Sequence, residues 1–459
     1  MKSVHFILIA LCWGTCLLAS AQKTKEKKEE AVLQEQGIAA AKRLNLNKKE
    51  REQWFTSLGF GMFIHFSIDA QLGAVISHSM VGASDDYLNR YINELPETFN
   101  PYKFDAAQWA RDAKMAGMKY AVFTAKHHNG FCMFDTKTTA FNIMNTPYEE
   151  DIVRKFVEAF RKEGIAVGLY FSPEDFYFLR SQGKPISRVT PEASASGNAA
   201  LNEYAKKQMK ELMSNYGKID VVFLDGLDQY GMTELAKVCW TSNPDVVVTR
   251  GAMATPEQHM PKEPLPSPWE ACFTLGDQWQ YRPTNESYKS ANTVIKKLIE
   301  IRSKGGNLLL NFGPDRHGVF PPEQWGVLNE ISLWMFINGE AMTNTESCPI
   351  VNDGKIWYLQ NKKTSVVYAI ICEDGWKLEE KKEFELPSIY STSKSKISLL
   401  GHGGKVMGYK LNADPAPSIM QAGNGGSKIS VIRAQRIYND RKWPNPVVVK
   451  LEGVSFVKR

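Results

Sequence analysis

The chain lacks most of the marks that would declare a membrane, redox or nucleotide role. Apart from a short apolar run near its start, no stretch approaches the roughly 20 apolar residues that a spanning helix needs, so no membrane span is expected. No Cys-x-x-Cys pair occurs, which removes both a zinc knuckle and a disulfide framework. The glycine pairs at 305–306 and 403–404 are not followed by Lys-Ser or Lys-Thr, so there is no phosphate-cradling loop; no Gly-x-Ser-x-Gly elbow is present either. Charge of one sign is also missing. The 56 basic and 50 acidic residues give a net +6, too mild and too evenly spread for a phosphate-backbone partner, and nucleic acid is excluded. There is no internal repeat and no long low-complexity tract.

What is present is material for large packed cores: 459 residues, 43% hydrophobic, with 11 Trp, 17 Tyr and 23 Phe. Residues 1–21 read as a signal peptide, with Lys2 at the positive start, an apolar run from Phe6 to Leu18 and a small-residue cleavage site at Ala19-Ser20-Ala21. Export to the periplasm or the exterior is the expected outcome. Removing this leader also removes Cys12 and Cys16. Cys132, Cys239, Cys272, Cys348 and Cys372 remain, scattered and odd in number, and read as buried thiols. Residues 22–48 form a lead-in whose charged part, Lys23 to Glu30, reads as a tether.

From 49 to 344, apolar runs of strand length alternate with helical patterns. The runs are Phe60 to Phe66, Tyr120 to Ala125, Ala166 to Ser172, Val221 to Asp225, Val246 to Arg250 and Asn307 to Phe312, with a weaker one at Trp269 to Phe273. Asp105 to Met115, Asp151 to Lys162, Asn202 to Ser214, Ser290 to Ser303 and Pro322 to Phe336 carry apolar residues at three- and four-residue spacing, as crossover helices do. The alternation predicts an α/β fold, a (β/α)8-like TIM barrel with one strand hidden in an irregular stretch. From 345 to 459 the period becomes two, in Ile356 to Gln360, Ser365 to Cys372, Lys396 to Leu400, Val406 to Leu411, Ser427 to Ala434 and Val447 to Leu451. This predicts a C-terminal antiparallel β-sandwich acting as a buttress.

In such barrels the catalytic groups gather at the carboxyl ends of the strands. The polar residues closing the predicted strands are His65, His127 and His128, Glu174 and Asp175, Asp225, Arg250, and Glu270 beside Trp269. Asp225 stands at the mouth of an apolar strand, a nucleophile's position; a turn or helix-cap aspartate is the plainer alternative. Beside the Trp269 ring a Glu270 carboxyl would keep its proton, and an acid and a base with separated pKa values are what glycoside cleavage needs. Asp228, Glu174 and Asp277 compete with Glu270. The three histidines and Arg250 suit the hydroxyls of a sugar, with the faces of Tyr170 and Trp279 for its apolar side. A metal centre lacks a supporting His-x-Glu or Cys pattern, so no metal and no cofactor are expected.

The motifs Gly61-Met62-Phe63-Ile64-His65, Phe123-Thr124-Ala125-Lys126-His127-His128, Gly168-Leu169-Tyr170-Phe171-Ser172, the strand ending at Asp225, Asn307 to Pro314 and Ile337-Asn338-Gly339-Glu340 together resemble the α-L-fucosidase family of retaining glycoside hydrolases, glycoside hydrolase family 29. The resemblance covers nearly all of the chain after the leader. It implies a barrel followed by a β-sandwich, Asp225 as nucleophile, and His65, His127, His128 and Arg250 on the sugar. The Trp-Glu pair at Glu270 resembles the linkage-selective branch and implies Glu270 as the proton donor, in an exo-glycosidase that releases terminal L-fucose from glycans. Asn129 stands where the family pattern has Asp, Phe223 where it has Trp, and Phe66-Ser67 where it has Trp-Gly, while residues 79–87 lack a Glu-Trp-Tyr segment. These departures imply a reshaped pocket and keep three rivals in view: the same mechanism on galactose-configured glycosides, a non-hydrolytic carbohydrate-binding protein, and a metal-dependent hydrolase.

Overall fold

In the computed structural model the described residues are 44–226, 229–378, 380–402, 416–423, 425–433 and 444–457. The expected leader, the charged lead-in from 23 to 30, the expected strand Val406 to Leu411 and the competitor Asp228 lie outside them. Seven parallel strands form one curled sheet: β1 (Phe60–Ile64), β2 (Tyr120–Lys126), β3 (Ala166–Phe171), β4 (Val221–Leu224), β5 (Val247–Val248), β6 (Glu270–Thr274) and β7 (Asn307–Phe312), in the order β5-β4-β3-β2-β1-β7-β6. Alternation along each strand sorts side chains to two cores. Phe63, Tyr120, Val122, Tyr170, Val221, Phe223, Val247, Cys272 and Leu309, at least one from every strand, share an inner cluster. Their neighbours Met62, Ile64, Phe123, Leu169, Leu224, Phe273 and Leu310 join the outer core against the helices.

The helices begin where short polar side chains cap them. In α1 (Lys49–Leu58) no side chain does so, but Asp105, Asp151, Asn198 and Ser290 each accept a backbone N–H at the start of α2 (Ala106–Met115), α3 (Ile152–Lys162), α4 (Ala199–Asn215) and α6 (Ala291–Ser303). The helix α5 (Gln229–Ser242) was not expected from the pattern, and α7 runs from Pro322 to Met342, six residues past its expected end.

Between β5 and β6 there is no helix. The expected strand Val246 to Arg250 shortens to two residues, and the chain continues as an irregular segment that touches β6 through the bridges Ala254 to Trp269 and Glu257 to Cys272. The eighth strand expected somewhere in the irregular stretches is not found in this sheet among the described residues. At the other edge Asn47, at the end of the lead-in, does the work of a missing strand: its amide donates to Val248 O (2.9 Å) and its Oδ1 accepts from Val248 N (2.9 Å) and Trp240 Nε1 (3.0 Å). The barrel edge is therefore satisfied by a side chain.

After α7 the chain becomes antiparallel. β8 (Thr345–Asp353), β9 (Ile356–Asn361), β10 (Val367–Ile371), β11 (Lys381–Leu386), β12 (Ile389–Tyr390), β13 (Lys396–Leu399), β14 (Ser418–Gln421), β15 (Ser427–Ile432), β16 (Val447–Glu452) and β17 (Ser455–Phe456) form a five-stranded sheet, β13-β16-β10-β9-β8, a three-stranded sheet, β11-β15-β14, and the pair β12-β17. Leu359, Tyr368, Ile370 and Val448 of the five-stranded sheet belong to the barrel's outer core, and Trp334 Nε1 of α7 donates to Pro446 O (2.9 Å). All five described cysteines are buried free thiols.

Candidate active site

Asp225 follows the last residue of β4, and the alternation that turns Val221 and Phe223 inward turns Asp225 to the mouth of the barrel. A Cβ on the next residue, Gly226, would lie 2.6 Å from the Pro173 ring, so only glycine lets β4 leave the sheet against the β3 loop. Tyr170 Oη donates to Asp225 Oδ2 at 2.7 Å and Arg250 Nη1 to Oδ1 at 3.0 Å, while His128 Nε2 lies 3.8 Å away. Burial by itself would raise this carboxyl, but the charges of Arg250 and Arg188 and the neighbouring imidazoles of His128 and His127 hold it well below the usual carboxylate range. Asp225 is thus an ionised carboxylate at the mouth, oriented by the side chains around it.

The histidines are neutral. Burial lowers His65 to about 4, although its Nδ1 is 2.6 Å from Asn311 Oδ1, and it drives His127 and His128 well below the ordinary imidazole value. His127 Nδ1 accepts the backbone N–H of His128 (2.9 Å), which leaves its proton on Nε2; His128 Nδ1 meets Ser172 Oγ at 2.6 Å. The loop that carries the pair is riveted from behind. Lys126 Nζ and Asp175 Oδ2 form an ion pair at 3.0 Å with neither side chain exposed, and Phe176 N donates to His128 O at 2.7 Å.

Three expected roles change. Tyr170 was expected to offer a ring face to substrate, but His127 stacks on the ring at 5.0 Å and Phe223 at 5.8 Å, and the side chain is enclosed. It acts through its hydroxyl on Asp225. Arg250 was expected on sugar hydroxyls, yet its Nη1 is committed to carboxylates. Glu270 was expected as the acid, and the structure places it at the other end of the barrel. It is the first residue of β6, fully buried below Cys272, with Oε2 accepting from Tyr120 Oη at 2.5 Å at the start of β2. Burial raises it to about 7, as the sequence implied, but a carboxyl shut in the barrel floor cannot reach a leaving group at the mouth. The Trp279 ring lies 5.0 Å from that of His65.

The group that sequence reasoning missed is Glu257, on the irregular segment after β5. Its Oε2 lies 2.7 Å from the same Arg250 Nη1 that contacts Asp225 at 3.0 Å, so the two carboxylates are at most 5.7 Å apart, the sum of these distances. Its side chain is 33% exposed, open to solvent where Glu270 is not. Arg188 was also missed: it pairs with Glu174 at 2.7 Å, and its charge acts on Asp225. That pairing occupies Glu174, and Asp277 is turned to Ser287 N (3.0 Å). Nothing in spacing marked Glu257 or Arg188, since both sit on loops.

Ligand atoms of His127, His128 and Asp225 lie within 4.8 Å of one another, close enough to hold a metal ion. Arg250 and Arg188 act on the same carboxylate, and two fixed positive charges oppose a divalent cation there. The fit is poor. Among the described residues no helix is long and apolar enough to cross a membrane.

The family profile described as Alpha-L-fucosidase matches residues 27–340. A plasma alpha-L-fucosidase of Rattus norvegicus is 26% identical over 407 residues, covering 78% of this chain and 85% of the relative. Alpha-L-fucosidase isoenzyme 1 from Paenibacillus thiaminolyticus superposes with a TM-score of 0.67 at 28% identity, over 91% of this chain and 100% of that one. An alpha-L-fucosidase from Bacteroides thetaiotaomicron, trapped as a covalent intermediate with 2-fluoro-fucosyl fluoride, shares the fold with a TM-score of 0.70 at 22% identity, over 89% of this chain and 97% of that one.

Proposed function

Because the chain belongs to the α-L-fucosidase family and is a glycoside hydrolase, we propose that it releases terminal L-fucose from glycans by double displacement with retention, using Asp225 as nucleophile and Glu257 as acid and base. One observation carries the assignment: a single guanidinium nitrogen holds both carboxylates, capping their separation at 5.7 Å. Retaining enzymes place the pair about 5–5.5 Å apart, whereas inverting ones need about 6.5–9.5 Å to admit water. The covalent intermediate trapped in the Bacteroides relative supports the same chemistry.

In the first step an oxygen of Asp225 bonds the anomeric carbon as the bond to the leaving oxygen breaks, and that oxygen takes the proton of Glu257. Tyr170 and Arg250 keep Asp225 ionised and aimed until the ester forms. Water then attacks the same carbon, Glu257 takes its proton, and the ester opens to free fucose. Each neutral imidazole keeps one ring nitrogen, Nε2, for a sugar hydroxyl, and that of His127 donates because its Nδ1 already accepts a backbone N–H; Trp279 offers the apolar wall.

We read the two antiparallel sheets as the layers of a C-terminal sandwich. Leu386, Ile429 and Val431 of the smaller sheet share one buried cluster with Tyr358, Val367 and Val449 of the larger, which supports that reading. We also read residues 1–21 as an export leader, so the exported protein should begin at Gln22, as N-terminal sequencing would report. The test of function is hydrolysis of an aryl α-L-fucoside followed by proton NMR. The α-anomer of fucose should appear first, and Asp225→Ala should abolish release with the fold intact. Initial β-fucose, or near-normal release by Asp225→Ala, would overturn the mechanism. A preference for a galactose-configured aryl glycoside would move the substrate while leaving the mechanism in place.

A further inference from the structure

We infer that the cavity beside Trp279, between the loops that follow β1 and β6, receives an anionic sugar, namely the carboxylate- or sulfate-bearing residue to which the fucose is attached. The inference rests on the fucosidase reading and adds the class of glycan. The cavity encloses about 300 Å³ and is lined by residues 73–76 on one side and by Gln278, Gln280, Tyr281 and Arg282 on the other. That volume is at the lower end of small-molecule sites, which run to about 1,000 Å³, and it holds a sugar ring. The cavity lined by Ser57, Phe60 and Arg302, near the amino ends of the strands, encloses only about 20 Å³ and holds no such ligand.

Two features show what the larger cavity lacks. Gln280 is 3% exposed, yet neither its Oε1 nor its Nε2 has a hydrogen-bond partner. A buried amide without partners is costly, and rotation of the side chain into the cavity would bring both atoms to a sugar hydroxyl, which donates and accepts. Arg282 is partly buried and has no hydrogen bond or ion pair among the described residues. A guanidinium at a cavity wall with no carboxylate partner matches the two oxygens of a carboxylate or a sulfate. Asp315, Arg316 and Glu323 act on the neighbouring Tyr281, and none of them pairs with Arg282.

The cavity and the fucose site share the segment 278–282. Trp279 lies between Gln278 and Gln280 in sequence, and its ring faces His65, so one residue forms a wall of the sugar pocket while its neighbours line the cavity. Asn311, the partner of His65, also donates to Trp279 O at 2.5 Å and fixes that wall. The opposite loop packs closely: a Cβ on Gly73 would lie 2.2 Å from the Pro283 ring, next to Arg282. Its far end carries His78, on which the charge of Arg188 acts, so the loop spans from the cavity to the surroundings of Asp225.

The test uses the full-length exported protein and pairs of α-L-fucosyl disaccharides that differ only in the acceptor sugar: a uronate against its neutral hexose, and a sulfated hexose against the unsulfated one. At low salt the ratio of kcat/KM, acidic over neutral, should be about tenfold, fall to near one in Arg282→Gln and invert in Arg282→Glu. A preference confined to one pair assigns the anion as carboxylate or as sulfate. Equal rates within both pairs for the unaltered protein, or a preference that survives Arg282→Gln, would overturn the proposal. An aryl α-L-fucoside, which carries no acceptor sugar, reports separately on the fucosidase reading: failure to cleave it would sink that reading instead.

Discussion

Replacing Glu270 by Gln separates a buried carboxyl from a working one. Burial raises Glu270 from 4.5 to about 7, against the opposing pull of Tyr120, Thr249 and Arg250. The folded protein therefore keeps this proton over a range in which the unfolded chain has lost it. Since the unfolded state binds fewer protons there, stability falls as pH rises from 4.5, and the cost is complete above about 7. At about 1.4 kcal/mol per unit that interval amounts to roughly 3 kcal/mol. Gln has no charge to form and nearly the same shape, so Glu270→Gln should exceed the parent in stability by up to about 3 kcal/mol near pH 8, with the difference vanishing near pH 4. Urea unfolding across that range measures it. Release of fucose from glycans should persist in this variant, because the group is enclosed in the barrel floor. A large loss confined to poor leaving groups, or a stability difference indifferent to pH, would refute the placement.

The same geometry sets four further outcomes. Glu257→Ala should cost about 10²–10⁴ in kcat/KM on natural glycans and far less on aryl fucosides with good leaving groups, with azide restoring turnover; equal losses on both would count against it. Tyr170→Phe removes one hydrogen bond to a charged carboxylate and should lower kcat/KM about tenfold with the thermal midpoint nearly unchanged, a split that steady-state kinetics and calorimetry read together. Lys126→Met leaves Asp175 buried without its partner and should destabilise by about 3–5 kcal/mol in denaturant titration, while Lys126→Met combined with Asp175→Leu should recover much of it. Excess chelator should leave aryl fucoside hydrolysis unchanged, because Arg250 and Arg188 already occupy the field around Asp225; lost activity restored by added metal would reverse that view.

Most of the barrel was legible because its strands are buried on both faces and read as unbroken apolar runs such as Tyr120 to Ala125. The helices were legible wherever an Asp, Asn or Ser capped an amphipathic stretch. The turn from β5 to β6 was not, since Val247–Val248 is too short to show a period and residues 249–268 form an irregular connection. Strand ends named His65, His127, His128, Asp225 and Arg250, and the structure brings these side chains together, because a strand's last inward position is fixed by alternation. The same logic failed for Glu270, whose Trp-Glu pair opens a strand where it seemed to close one. Register decides which end of a barrel a residue occupies, and register comes from pairing with Asn307, 37 residues further along. Glu257 and Arg188 were invisible for the complementary reason: they reach Asp225 from loops whose course no local pattern encodes.

The order of the larger antiparallel sheet bears on how the molecule is made. β16 lies between β10 and β13, and Pro446 just before it receives the indole proton of Trp334. During synthesis, β10 and β13 emerge from the ribosome first and wait with open edges for Val447–Glu452. Until that segment arrives, the last helix of the barrel has no lid over Trp334. Truncation ahead of Val447 should therefore yield a nascent chain that clings to chaperones, although every residue of the hydrolytic centre has already been translated.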